Sequence, residues 1–403
     1  MGTMHSVSVK LPSSTGSLMA GTIDFPDGTP RAFAMFAHCF TGSRFTPAAS
    51  RVSKTLADEG IACLRFDFPG LGQSEGEFAR TSFSSNVADI RAAYDWLEEH
   101  YEAPQLMVGH SLGGAAALRA VAANGIERMK SIKAVATLGA PFDPAHAVLH
   151  FADRIGEVDE HGAVTLKLGG RDITISREFL EDLAEVNPES YLHRLKVPLL
   201  LLHSPVDQTV GIDNAQKIFL CARYPKSLVA LDKVDHLATR PGAAQRAAHL
   251  ISTWVRPYLQ STADSEAEDI LPEGVAEAQS IPAGKFTDLV HTGSRSFTTD
   301  REKERGGKDL GIAPTSLLIA ALAAATSEEI RAAAREGRIR ELDDVRVSVT
   351  KVVGADSEQP VLRRKIALIG DLSDEQRAEL LAARDNSPVS AMLSHVRIED
   401  RDE

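Results

Sequence analysis

The stretch 105–118, QLMVGHSLGGAAAL, constrains this chain more than any other. Leu106, Met107 and Val108 read as a buried strand. Gly109-His110-Ser111-Leu112-Gly113 follows, and then an alanine-rich helix. A chain that passes straight from strand to helix holds the corner residue in strained backbone angles. The side chains beside it must be absent for strand and helix to approach. Glycine at both second neighbours of Ser111 meets that demand. The serine hydroxyl then stands above the sheet edge at a helix N-terminus, where the Leu112 N–H can face a developing oxyanion. A bare G-x-S-x-G pattern is common; a strand before it and a helix after it give it weight.

The segments around this turn alternate. His5–Leu11 and Leu18–Asp24 read as an opening hairpin, and Arg31–Ala37 as a third strand. A helix is expected near 48–59, a strand over Ile61–Phe66 and an amphipathic helix over 82–100. Ile132–Leu138, Val197–His203 and Ser227–Leu231 read as further strands, with helices near 214–224 and 243–259. Strands alternating with helices predict a mostly parallel, doubly wound sheet. Residues 142–195 break the rhythm with helix-like pieces around a small hairpin, so they form a candidate lid.

A serine hydroxyl is a weak nucleophile near neutral pH. It needs a base, and the base needs an acid that fixes its tautomer. A serine at such a turn predicts the chain order Ser, Asp or Glu, then His, each partner just after a strand. Asp207, in LLLLHSPVDQTV, and His236, in LVALDKVDH, fit that order. Asp235 and Asp213 are rival acids, and Asp235 is awkwardly adjacent to the ring it would serve. His110 and His203 read as packing or positioning groups.

At 403 residues two domains are expected. A net charge of −12 argues against nucleic acid or an anionic membrane as partner. No run is long and apolar enough for a membrane span. The first residues lack the basic start and apolar core of a secretory signal. The three cysteines, Cys39, Cys63 and Cys221, show neither paired nor metal-site spacing. These features fit a reducing cytoplasm, and Cys63 reads as a core residue.

Residues 260–284 are acidic, small and proline-bearing, and read as a linker. A second domain is expected over 285–403. It has strand-like pieces at 286–293 and 296–300, a long helix over 314–336 and strands over 345–353 and 361–371. A capping box at Ser373–Gln376 opens a helix, and Ser387-Pro388 opens another.

Taken together, the serine turn, the HCFTG loop after the third strand, DFPGLGQS, HSPVD and DH resemble the α/β-hydrolase family, especially small bacterial esterases, over about 5–259 of a first domain expected to span 1–259. The resemblance implies Ser111 as nucleophile, His236 as base and Asp207 as its acid. The N–H groups of Phe40 and Leu112 would line the oxyanion hole. In the lid, Phe142 and Phe151 would favour apolar groups on the substrate. Cys39 stands where the family usually has glycine. Neither metal nor organic cofactor is implied. The expected substrate is a small ester with a short or aromatic acyl group, with thioesters, amides and carbon–carbon bonds as alternatives.

Residues 285–403 resemble the OsmC/Ohr family in GGKDLGIAPTSLLIAALAAAT, VRVSVT and KIALIGDLSDEQRAELLAARDNSPVSAML. The family's two reactive cysteines correspond to Ala325 and Ser387, and no cysteine follows Cys221. Thiol peroxidase chemistry needs a thiolate and a resolving thiol. The resemblance therefore implies an α+β fold without the family's activity. It also implies a homodimer built on the long helix, with a role in pairing subunits or shaping the active site.

Overall fold

The computed structural model describes residues 4–122, 129–145, 158, 161–168, 171–259, 271–281, 284–293, 295–353 and 360–395. They divide into two compact units, Met1–Gln279 with Leu289–Thr298, and Ser280–Asp288 with Thr299–Glu403.

The first unit is built on a sheet of eight strands in the order β1-β2-β4-β3-β5-β6-β9-β10. These are β1 (His5–Pro12), β2 (Leu18–Phe25), β3 (Ala32–Ala37), β4 (Ile61–Phe66), β5 (Leu106–His110), β6 (Ala134–Leu138), β9 (Leu199–His203) and β10 (Lys226–Ala230). β2 runs antiparallel to both β1 and β4, and every other pairing is parallel. The central strands are buried on both faces, which explains their unbroken apolar runs. In β9, Leu199 and Leu201 enter the core on one face, and Leu200 and Leu202 the core on the other. Helices α1 (Pro47–Asp58), α2 (Phe83–His100) and α3 (Leu112–Ala122) connect the first strands. The Ser82 side chain caps α2 by accepting from the Ser85 N–H at 3.0 Å.

Between β6 and β9 lie the hairpin β7 (Ala163–Leu168) and β8 (Arg171–Ser176), helix α4 (Arg177–Ala184) and a single turn, Glu189–Leu192. Ser176 caps α4, and Phe179 on it is fully buried. Asp182 ties the helix to α2 by accepting from the Ser84 N–H and hydroxyl at 2.6 and 2.5 Å. Of the candidate lid 142–195, the first helix-like piece falls largely outside the described residues. Helices α5 (Ile212–Cys221) and α6 (Ala243–Val255) complete this half.

A three-stranded sheet joins β11 (Ala276–Ser280), β12 (Asp288–Thr292) and β13 (Arg295–Thr299). β11 lies inside the stretch expected to be linker. All its side chains are exposed, so ladder pairing rather than an apolar pattern makes it a strand. The second unit carries helix α7 (Pro314–Glu336), the antiparallel pair β14 (Leu342–Val353) and β15 (Pro360–Gly370), and helices α8 (Asp374–Ala382) and α9 (Pro388–His395). Ser373 and Gln376 form the capping box of α8, and Ser387 Oγ accepts from the Ser390 N–H at 3.1 Å to cap α9. The two domains are an α/β-hydrolase fold and an OsmC-like fold. Among the described residues no helix is long and apolar enough to cross a membrane.

Candidate active site

Ser111 stands between β5 and α3 with φ +53°, the left-handed corner that the sequence demands. Its N–H donates to Leu138 O of β6 at 2.9 Å. The flanking glycines are required by space. A Cβ on Gly109 would lie 2.5 Å from the Gly114 Cα, and one on Gly113 would lie 2.2 Å from His38 O. The second contact seats the start of α3 against the loop that leaves β3. The turn at Ser111 and the HCFTG loop are therefore neighbours through main chain.

The structure brings Ser111, His236 and Asp207 together. Ser111 Oγ and His236 Nε2 are 2.9 Å apart, and His236 Nδ1 and Asp207 Oδ2 are 2.7 Å apart. The other carboxylate oxygen of Asp207 accepts from the N–H groups of Thr209 and Val210 at 2.8 and 3.0 Å. Burial works against the charge on Asp207. The His236 ring and these amides outweigh it and hold the carboxyl below its ordinary range. An aspartate held ionised at Nδ1 keeps the proton on that nitrogen and leaves Nε2 free to accept from the serine.

The rival acids are committed elsewhere. Asp235 accepts from the Thr239 N–H and hydroxyl and from the Arg240 N–H. Exposed Asp213 pairs with Lys217 at 3.2 Å. Gly139, beside Asp207 and the His236 ring, has φ +54°, a left-handed conformation that favours glycine.

In the HCFTG loop, Thr41 has φ +56°, a strained conformation for a β-branched residue. The Phe40 ring is half-buried between Phe78 and Phe179, with both centroids at 5.8 Å. Leu112 is buried. Cys39 is buried against Gly42, where a Cβ would meet its Sγ at 2.8 Å, and burial pushes the thiol up to about 11. Cys63 is fully buried in β4 and is pushed up to about 12. Half-buried Phe142 packs against the core of the first unit, and its N–H donates to Asn214 Oδ1 at 3.0 Å. Phe151 lies outside the described residues.

Arg44 and Asp67 are site-supporting residues that the sequence reading did not single out. Their buried ion pair joins the HCFTG loop to the loop after β4. Its sequence trace is a charged residue in each of two loops, which is too common to be a signal. Among the described residues no group of three or more His, Cys, Asp or Glu side chains has metal-holding geometry.

A family model described as serine aminopeptidase, S33, matches residues 29–176, and a model of OsmC-like proteins matches residues 306–399. The esterase domain of a Rhodothermus marinus protein is 40% identical, covers 64% of this chain and 100% of its own, and superposes with a TM-score of 0.51. Mouse alpha/beta hydrolase domain-containing protein 10 shares the fold at 20% identity and TM-score 0.51, over 62% of this chain and 98% of its own. Among curated sequences, the mitochondrial palmitoyl-protein thioesterase ABHD10 of Pongo abelii is 36% identical over 78 residues, 19% of this chain and 24% of its own length. An uncharacterised Salmonella typhi protein, YfhR, is 23% identical over 200 residues, 45% of this chain. The chain thus spans 57% of the length of one of these curated relatives and 24% of the other.

Proposed function

Since the chain belongs to the α/β-hydrolase family and carries an OsmC-like domain, we propose that it is a serine carboxylesterase acting on short-chain or aromatic acyl esters. The observation that carries this reading is the continuous relay from Asp207 through His236 to Ser111, with both links under 3 Å. In the proposed cycle His236 Nε2 takes the hydroxyl proton as Ser111 Oγ attacks the ester carbon. The oxyanion accepts from the N–H groups of Phe40 and Leu112. Collapse expels the alcohol, which takes the proton from His236. Water then enters by the same route, and the carboxylic acid leaves with Ser111 restored.

The esterase domain at 40% identity supports an ester as the substrate class. Half-buried Phe40 and Phe142 support an apolar acyl or alcohol group. The segment similar to a palmitoyl-protein thioesterase favours a thioester as the second reading. Hydrolysis of a p-nitrophenyl ester series from acetate upward, beside an acyl thioester series, tests both. The expected result is ester turnover that disappears in Ser111→Ala. An inactive wild type, or a mutant that matches it, defeats the reading.

In the OsmC-like domain no thiol is encoded after Cys221, so the domain is proposed as a pairing module rather than a peroxidase. Among the described residues, Ile330, Ala334, Ile339, Val345 and Leu380 form its buried cluster, whereas Leu318, Val361, Met392 and Leu393 are exposed. A second copy covering that apolar surface would supply the burial that the domain lacks.

A further inference from the structure

Histidines stand at the exits of three sheet strands. His38 follows β3, His110 ends β5 and His203 ends β9. All three are buried, at 1, 1 and 2% exposure. Each binds the main chain of a loop that carries part of the site. His38 Nδ1 donates to Cys39 O at 2.8 Å, and its Nε2 accepts from the Phe68 N–H at 3.3 Å. His110 Nε2 lies 2.7 Å from His236 O, and His203 Nε2 lies 2.7 Å from Val210 O. A carbonyl oxygen only accepts, so His110 and His203 both carry a proton on Nε2.

We propose that His110 and His203 are positioning residues for the triad, His110 for the base and His203 for the acid. The inference rests on the serine-esterase reading. His236 is held at two points by consecutive residues, its ring by Ser111 and its carbonyl by His110. The loop carrying the base therefore cannot shift relative to the serine without breaking both links. On the acid side Val210 closes a ring. Its carbonyl accepts from His203, and its N–H donates to Asp207 Oδ1. Asp207 is thereby fixed from behind while its other oxygen faces His236.

Packing alone does not account for His110. Its Nδ1 is buried with no hydrogen-bond partner among the described residues, and an apolar side chain of similar size would carry no such penalty. Burial also lowers the pKa of both histidines, for His110 to about 4, so each remains a neutral donor at neutral pH. Displacing a reacting group by an ångström costs on the order of a hundredfold in rate, and these donors act at that scale.

The test compares His110→Gln, which keeps an N–H donor at similar reach, with His110→Met, which fills the space without one. Both are made in the full chain. Steady-state kinetics use an ester that wild type cleaves and Ser111→Ala does not. His110→Met is expected to lower kcat by about a hundredfold at nearly constant KM, and His110→Gln to recover most of the loss. The inference is overturned if His110→Met keeps kcat within about threefold of wild type, or if both variants lose equally. Should wild type cleave no ester, two readouts independent of substrate carry the comparison. They are the fluorophosphonate labelling rate of Ser111 and the downfield NMR signal of the His236 Nδ1 proton bound to Asp207. Retention of either in His110→Met at the wild-type level counts against the inference, whatever the substrate. If His110→Met does not fold, His203→Met against His203→Gln makes the same comparison from the acid side.

Discussion

Arg44 grips Asp67 twice. Its main-chain N–H donates to Oδ1 at 2.6 Å, and its guanidinium forms a buried ion pair with Oδ2. The guanidinium also donates to Thr22 Oγ1 at 3.1 Å and Gln73 Oε1 at 2.6 Å, and Oδ2 accepts from the Gln73 N–H at 2.9 Å. Beside this pair, Arg65 binds both oxygens of Asp24 and donates to Arg44 O at 2.7 Å. The end of the HCFTG loop is thus set in a buried network that contains two cations and two anions.

Arg44→Met is expected to be strongly destabilising, because it leaves the Asp67 carboxylate buried without its counter-charge. Removing one partner of such a pair costs about 3–5 kcal/mol. Urea denaturation should show a lower midpoint than wild type. Turnover should also fall while the protein is still folded, because Phe40 sits on the loop that loses its anchor. An unchanged midpoint would show that the pair contributes no net stability.

Gly113→Ala tests the contact between the serine turn and the HCFTG loop. The new Cβ would meet His38 O, a main-chain atom, at 2.2 Å. Helix α3 and the exit of β3 would have to separate, which spreads the N–H groups of Phe40 and Leu112. Overpacking of this kind costs about 1–3 kcal/mol, and loss of one oxyanion donor lowers kcat about a hundredfold or more. Wild-type kcat in the purified variant would contradict the proposed oxyanion hole.

Acid should weaken the hydrolase domain in the histidine range before the aspartate range. The pKa of His110 is lowered by burial to about 4, and those of His38 and His203 are lowered for the same reason. An unfolded histidine takes up its proton near pH 6.5. The stability associated with the neutral ring is therefore complete above that value and is lost as pH falls towards 4. For His110 alone this amounts to about 3 kcal/mol. Asp207 has a depressed pKa, so its contribution is lost only below the ordinary aspartate range. Urea midpoints at pH 7, 5.5 and 4.5 should fall steadily, and less steeply in His110→Gln. A flat profile over this range would mean that the buried rings become charged without difficulty.

What the sequence made legible follows from where the residues lie. Ser111, Asp207 and His236 follow the sheet strands β5, β9 and β10 in turn, so a strand pattern and a chain order are enough to single them out. Helix 314–336 was legible at both ends, because Pro314 opens it and Gly337 follows it. The Arg44–Asp67 pair was not legible, since it joins two loops 23 positions apart and neither loop has a period. Nor was the tilted contact of Phe78 with Phe179, with centroids 5.4 Å apart, because a hundred residues separate the two rings. Strand β11 escaped because its side chains bury nothing.

The oligomeric state provides the remaining prediction. Helix α7 buries Leu322, Thr326, Ile330 and Ala334 along one face, yet Leu318 is 49% exposed on the same helix. Met392 on α9 is 59% exposed and Val361 on β15 is 53% exposed. Among the described residues the buried cluster holds five side chains, which is small for a domain of this length, and exposed apolar surface of this kind marks a partner surface. Light scattering on the full chain should therefore give a mass near twice 43.4 kDa at micromolar concentration. Leu318→Glu places a charge on the α7 face and should shift the protein towards monomer. Ester turnover by that monomer would then separate the two proposed roles of the domain. Unchanged kcat would mean that pairing is its whole contribution, whereas a fall in kcat with an intact hydrolase domain would mean that the pair also shapes the active site. A monomeric wild type would falsify the pairing role.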